Sequence, residues 1–69
     1  MGKRRFIVTR AFKAWNPGNR GSSFVIRKGV NLFAETTIAG DHIAFTIDNL
    51  EYEAERGDFL GATSLWKSD

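Results

Sequence analysis

His42 is the single histidine of this 69-residue chain, and it directly follows Asp41. A His–carboxylate pair moves protons usefully only when a nucleophile is held beside it. The hydroxyls on offer, Ser22, Ser23 and Ser64, belong to no catalytic motif. The chain has no cysteine, which excludes thiolate chemistry, disulfides and cysteine-based zinc sites. One histidine among scattered carboxylates has no metal-ligand spacing. The expectation is therefore a non-enzymatic protein without metal or cofactor, with His42 a solvated turn residue.

Binding chemistry is better represented. Lys3, Arg4, Arg5, Arg10, Lys13, Arg20, Arg27 and Lys28 all fall in residues 1–28, which contain no acid. Residues 29–69 hold Glu35, Asp41, Asp48, Glu51, Glu53, Glu55, Asp58 and Asp69 against Arg56 and Lys67, so the formal net charge of +2 hides two opposed halves. Cations that track phosphates release condensed counterions and bind nucleic acid without sequence preference. The competing reading pairs the two halves as neighbouring strands that lace their charges together. Lys3-Arg4-Arg5, at a terminus, is the cluster least explained by internal pairing. Trp15 precedes a Pro-Gly loop, where it either anchors a ligand or seals a small core; Trp is enriched at binding hot spots. Glu51, Glu53 and Glu55 form an alternating acidic stripe, expected to be solvated and to discourage edge pairing.

The elements that must position these residues show a period of two. Arg5 to Arg10 and Phe24-Val25-Ile26 are rich in aromatic and β-branched residues, as strands are. Between them, residues 16–23 are turn-forming throughout, with Pro17 fixing φ and Gly18 and Gly21 free to take positive φ. Val30 to Ile38 alternates, with Leu32, Ala34, Thr36 and Ile38 on one side. Residues 39–42 form a turn. Ile43, Phe45 and Ile47 point inward from a further strand, and Asp48-Asn49 is a hairpin turn signal. Leu50, Tyr52 and Ala54 share the next inward face. A helix over 49–56 has the propensity but not the spacing, because its apolar residues recur every second position. Arg56-Gly57-Asp58 is expected to turn, Phe59-Leu60 to form a short strand, residues 61–64 a single tight helical turn, and Leu65-Trp66 to close the core.

The length fits one domain, residues 1–69, with 1–4 a flexible basic tail. A chain this short buries only about 60% of its unfolded surface, so its nine aromatics matter greatly to the core. The apolar run after Arg5 stops at three residues, short of the 7–15 or so of a secretion signal. No stretch approaches the ~20 apolar residues of a membrane span. A cytoplasmic setting with no membrane partner is the expectation.

Ala11-Phe12-Lys13-Ala14-Trp15 resembles the Ala-Leu-Tyr-Asp-Tyr segment that opens the long loop of Src homology 3 domains. Phe24-Val25-Ile26-Arg27-Lys28-Gly29 is similar to that family's Leu-Ser-Phe-Lys-Lys-Gly, and residues 58–65 to its Gly-Leu-Phe-Pro-Ser-Asn-Tyr-Val. The matches run in order from about Phe6 to Leu65. The resemblance implies an all-β fold, a small five-stranded, partly open barrel with one short 3-10 turn near the C-terminus. It also implies a binding module. The usual members hold proline-rich peptides in an aromatic groove. Here Lys13 stands at the first groove tyrosine, Trp15 keeps the second aromatic, and His42 falls near the groove tryptophan. Gly61 and Ser64 replace the groove proline and tyrosine, and Arg20 stands where the family's loop carries acids. The expectation is a protein-binding module using the long loop, with Lys13, Trp15, Arg20 and His42 as contacts, and not a standard proline-rich peptide as ligand. Two alternatives remain open: a nucleic-acid-binding barrel using Lys3, Arg4, Arg5, Arg27 and Lys28, and a subunit that assembles through its oppositely charged halves.

Overall fold

Alternation of apolar and polar residues decides most of the architecture. The computed structural model describes residues 3–36 and 40–66. The strands are β1 (Arg4–Val8), β2 (Phe12–Ala14), β3 (Phe24–Ile26), β4 (Asn31–Ala34), β5 (His42–Ile47), β6 (Leu50–Glu55) and β7 (Thr63–Leu65), with α1 (Arg56–Ala62) between the last two. One antiparallel sheet has the order β6-β5-β4-β1-β7 and the second is the β2–β3 pair. Trp15, just past β2, bridges to Glu53 of β6 through two backbone hydrogen bonds of 2.8 Å, which couples the two sheets.

Strands β1 to β6 each turn apolar residues to one shared core. Phe6, Val8, Phe12, Ala14, Ile26, Leu32, Ala34, Ile43, Phe45 and Ala54 are buried there, and α1 adds Phe59 and Ala62. Phe59 sits among Phe6, Phe12 and Phe45, with ring centroids 5.5, 5.9 and 5.5 Å away. The protein is thus a small all-β domain with one short helix, as the sequence implies.

Several details differ from expectation. Residues 56–62 form a seven-residue helix in place of a turn, a strand and a 3-10 turn. Its local propensity is poor, with two glycines and no side-chain N-cap bond. Burial of Phe59 and Ala62, three residues apart on one helix face, overrides that propensity. The C-terminal end is tied by the Thr63 hydroxyl donating to the Phe59 carbonyl at 2.8 Å. Phe12–Ala14 and Thr63–Leu65 are strands beyond those expected. Leu65-Trp66 does not close the core: β7 is an edge strand, and Trp66 is 39% exposed. Leu50 is exposed at the hairpin tip. Arg4 belongs to β1 and not to a tail, while Met1 and Gly2 lie outside the described residues. The expected strand end at Thr37-Ile38 and the turn residue Ala39 also lie outside them.

The β5–β6 hairpin closes through Asp48 and Asn49, at φ 52° and 69°, flanked by the Ile47–Leu50 pair. Two successive positive φ values match the right-handed strand twist, and Asp and Asn tolerate them better than other non-glycine residues. Asn49→Val is expected to cost about 1–2 kcal/mol, because a β-branched side chain clashes in this region and the site offers no new packing. A urea titration checks this; an unchanged midpoint would show that the turn does not set the hairpin.

Candidate functional site

Parity along β2 puts Phe12 and Ala14 into the core and Lys13 and Trp15 on the opposite, outer face. Trp15 is nevertheless only 5% exposed, and it stands outside the main core cluster. Its cover comes from far along the chain. Glu53, its backbone partner, emerges on the same face, and the Trp15 indole Nε1–H donates to Glu53 Oε1 at 3.0 Å. Glu55 lies two residues further along that face of β6, and His42 of β5 pairs with Glu55 in register. The His42 ring meets the indole edge-on, with centroids 5.5 Å apart and an interplanar angle of 89°.

Arg20 completes the cover. Loop residues 16–23 fold through backbone hydrogen bonds from Asn19 to Asn16 (2.9 Å) and from Ser22 to Asn19 (3.1 Å). Gly18, at φ 81°, supplies the positive φ that this turn requires. The Arg20 guanidinium carbon then lies 4.9 Å from the Trp15 ring centroid, and its Nη2 pairs with Glu55 Oε2. A cleft of about 240 Å³ adjoins the cluster, lined by Lys3, Glu35, His42, Ile43, Ala44, Glu53 and Arg56. Ligand pockets for small molecules run from about 300 to 1,000 Å³, so this space suits a side chain better than a whole metabolite. Arg56 is committed locally, its Nε donating to the Gly40 carbonyl at 2.6 Å and its Nη1 to the Thr36 carbonyl at 3.2 Å. Among the described residues no group of His, Asp and Glu side chains is arranged to hold a metal.

The structure therefore brings together three of the four contacts expected from the sequence: Trp15, Arg20 and His42. His42 is a strand residue against an indole, not a turn residue, because its register with Glu55 fixes it on that face. Trp15 is a covered aromatic and not an exposed anchor. Lys13 does not join them. It lines a different, open depression of about 500 Å³ with Arg10, Ala11, Phe12, Gly57, Asp58 and Ala62. Sequence reasoning missed Glu53 and Glu55 as site residues. Their stripe read as solvated, and no local signal shows that Trp15 and Arg20 reach it from 35 or more residues away.

The five cations of the nucleic-acid alternative do not form one patch. Lys3, Arg4 and Arg5 lie at the start of β1, whereas Arg27 and Lys28 precede Gly29, whose N–H donates to the Val8 carbonyl at the other end of β1 (2.8 Å). Four strand residues separate these ends by about 13 Å. Arg5 does meet an aromatic: its guanidinium carbon is 4.6 Å from the Trp66 ring centroid. Opposite Arg5 on β4 is Phe33, an exposed aromatic on the same outer face.

Trp15→Phe keeps an aromatic face but deletes the indole N–H, leaving the half-buried Glu53 carboxylate without that donor. The expected loss is about 1–3 kcal/mol, measured by chemical denaturation. A loss no larger than that of a surface substitution would show that water takes the place of the bond.

No family model, curated protein or solved structure matches the chain.

Proposed function

We propose that this protein is a non-enzymatic binding module, a divergent barrel of the Src homology 3 type, that engages a protein partner through the outer face around Trp15. The single observation that carries the functional reading is a buried tryptophan set apart from the main core cluster, under an arginine whose own side chain is exposed. The indole ring is set apart from the main core cluster, and aromatic rings are enriched among interface hot spots. Support for the family reading comes from the ordered motif matches and from antiparallel strands separated by a long loop at residues 16–23. A cytoplasmic setting belongs to the same reading, supported by the lack of cysteine. Among the described residues no helix is long and apolar enough to cross a membrane.

The test is capture of partners from a lysate of the native cells with the tagged protein, before and after nuclease treatment. A protein retained after nuclease, and lost when Trp15 is replaced, is the expected result. Retention that vanishes with nuclease overturns the protein-partner reading.

A second reading, single-stranded nucleic acid bound at Trp66, Arg5 and Phe33, is favoured by the exposed aromatics flanking Arg5 beside Lys3 and Arg4. Stacking on aromatics with cationic neighbours is the usual basis of such binding. It requires affinity for an oligonucleotide to fall steeply as salt rises. A flat response removes it.

A further inference from the structure

Trp15 and Trp66 are each topped by an arginine, yet with opposite results. Trp66 stays 39% exposed under Arg5, whereas Trp15 is 5% exposed under Arg20. The difference lies in what surrounds the rings. Trp15 is flanked by Glu53 and His42, and Arg20, paired with Glu55, lies over its ring. The Arg20 and Glu55 side chains are themselves 57% and 44% exposed. The closing contacts are thus an exposed cation–π stack and an exposed ion pair, both weak classes of interaction. They are presented by a loop whose residues 16–23 are all exposed.

We propose that the Trp15 pocket is an arginine-binding site, that the protein's own Arg20 occupies it as a plug, and that its ligand is an arginine side chain of the partner protein. This rests on the reading that the Trp15 face is the protein-binding surface. The chemistry of the occupant argues for the ligand. With Arg20 displaced, an indole face, the Glu55 carboxylate and the Glu53 carboxylate remain together, beside a cleft that also holds Glu35, Lys3 and Arg56. An aromatic face flanked by carboxylates favours a cation. A guanidinium suits it better than an ammonium, because it stacks flat on an indole while its N–H groups reach a carboxylate sideways. Arg20 already shows both contacts. A site filled by part of its own chain binds an external ligand more weakly, by the fraction of time that it stands open.

The test uses acetyl-Gly-Arg-Gly-amide as probe, with the citrulline peptide as its neutral isostere. Binding is followed by the NMR shift of the Trp15 indole N–H, assigned with Trp15→Phe and read beside that of Trp66. Removing the plug in Arg20→Ala is expected to tighten arginine-peptide binding at Trp15 by about fivefold or more, leaving the citrulline peptide without effect. Arg20→Gln, which keeps a polar stem but lacks the guanidinium, is expected to act in the same direction. That second variant guards against collapse of the loop onto the ring in the alanine variant. Arginine-peptide binding to both variants no tighter than to wild type, or equal binding of the citrulline peptide, overturns the proposal. Failed partner capture together with tightened peptide binding overturns the module reading alone. Capture that needs Trp15 but is unchanged in strength when Arg20 is removed overturns the plug alone.

Discussion

Phe59→Ala is expected to abolish most of the stability of this protein. The phenyl ring is 0% exposed and stands edge-on or tilted to Phe6, Phe12 and Phe45, which come from β1, β2 and β5. It is the contact through which α1 joins both sheets. Truncating a buried Phe costs about 3–5 kcal/mol, as lost transfer energy plus the cavity left behind. At roughly 0.05–0.15 kcal/mol per residue, a chain of this length has only about 3–10 kcal/mol in total. The helix has little of its own to fall back on, since Gly57 and Gly61 weaken it and no side chain caps its start. Urea unfolding of Phe59→Ala beside Phe33→Ala, an exposed aromatic on β4, gives the comparison. The first is expected to be largely unfolded without denaturant or to lose most of its midpoint, and the second to shift little. Equal effects of the two would mean that α1 is not part of the folding core.

Trp15→Ala is expected to weaken partner binding at least ~30-fold, the loss of about 2 kcal/mol that defines a hot spot. Trp66→Ala is expected to change it less than about threefold, as for a residue outside the contact. The contrast follows from position: Trp15 lies in a cluster with Glu53, Glu55, His42 and Arg20, while Trp66 lies at the β7 edge with Arg5. Because Trp15→Ala also removes the donor to Glu53, the comparison is made where circular dichroism shows the variant folded. Trp15→Phe is expected to fall between, since it keeps a face for stacking but loses the indole N–H. Equal losses at Trp15 and Trp66, or a larger one at Trp66, would move the interface to the β7 edge and favour the nucleic-acid reading.

How much of this could be seen in the chain differs from element to element. The β5–β6 hairpin was legible because two local signals agree there. Ile43 and Phe45 alternate with polar neighbours, and Asp48-Asn49 are residues that accept the positive φ values found. The same alternation put Leu32 and Ala34 on one side of their strand and Ala54 on an inward face, since side-chain direction in a strand is set by position alone. The segment from Arg56 to Ala62 was not legible. Two glycines and a short length made it resemble a turn, and only the cavity that Phe59 fills makes it a helix.

For the site, the sequence determined the parts and, on β6, their side. Glu53 and Glu55 had to share one face of their strand, whereas the side Trp15 takes, away from Phe12 and Ala14, follows only once Phe12–Ala14 is a strand. Tertiary structure alone decided that these are the same place. The Trp15–Glu53 bridge joins residues 38 apart, and Arg20 meets Glu55 across 35. It also split the basic half between opposite ends of β1 and put Lys13 over a different depression. The physical reason is the same in each case. Alternation is a property of neighbouring residues and can be read along the chain, whereas strand register and loop closure depend on how distant segments share one core.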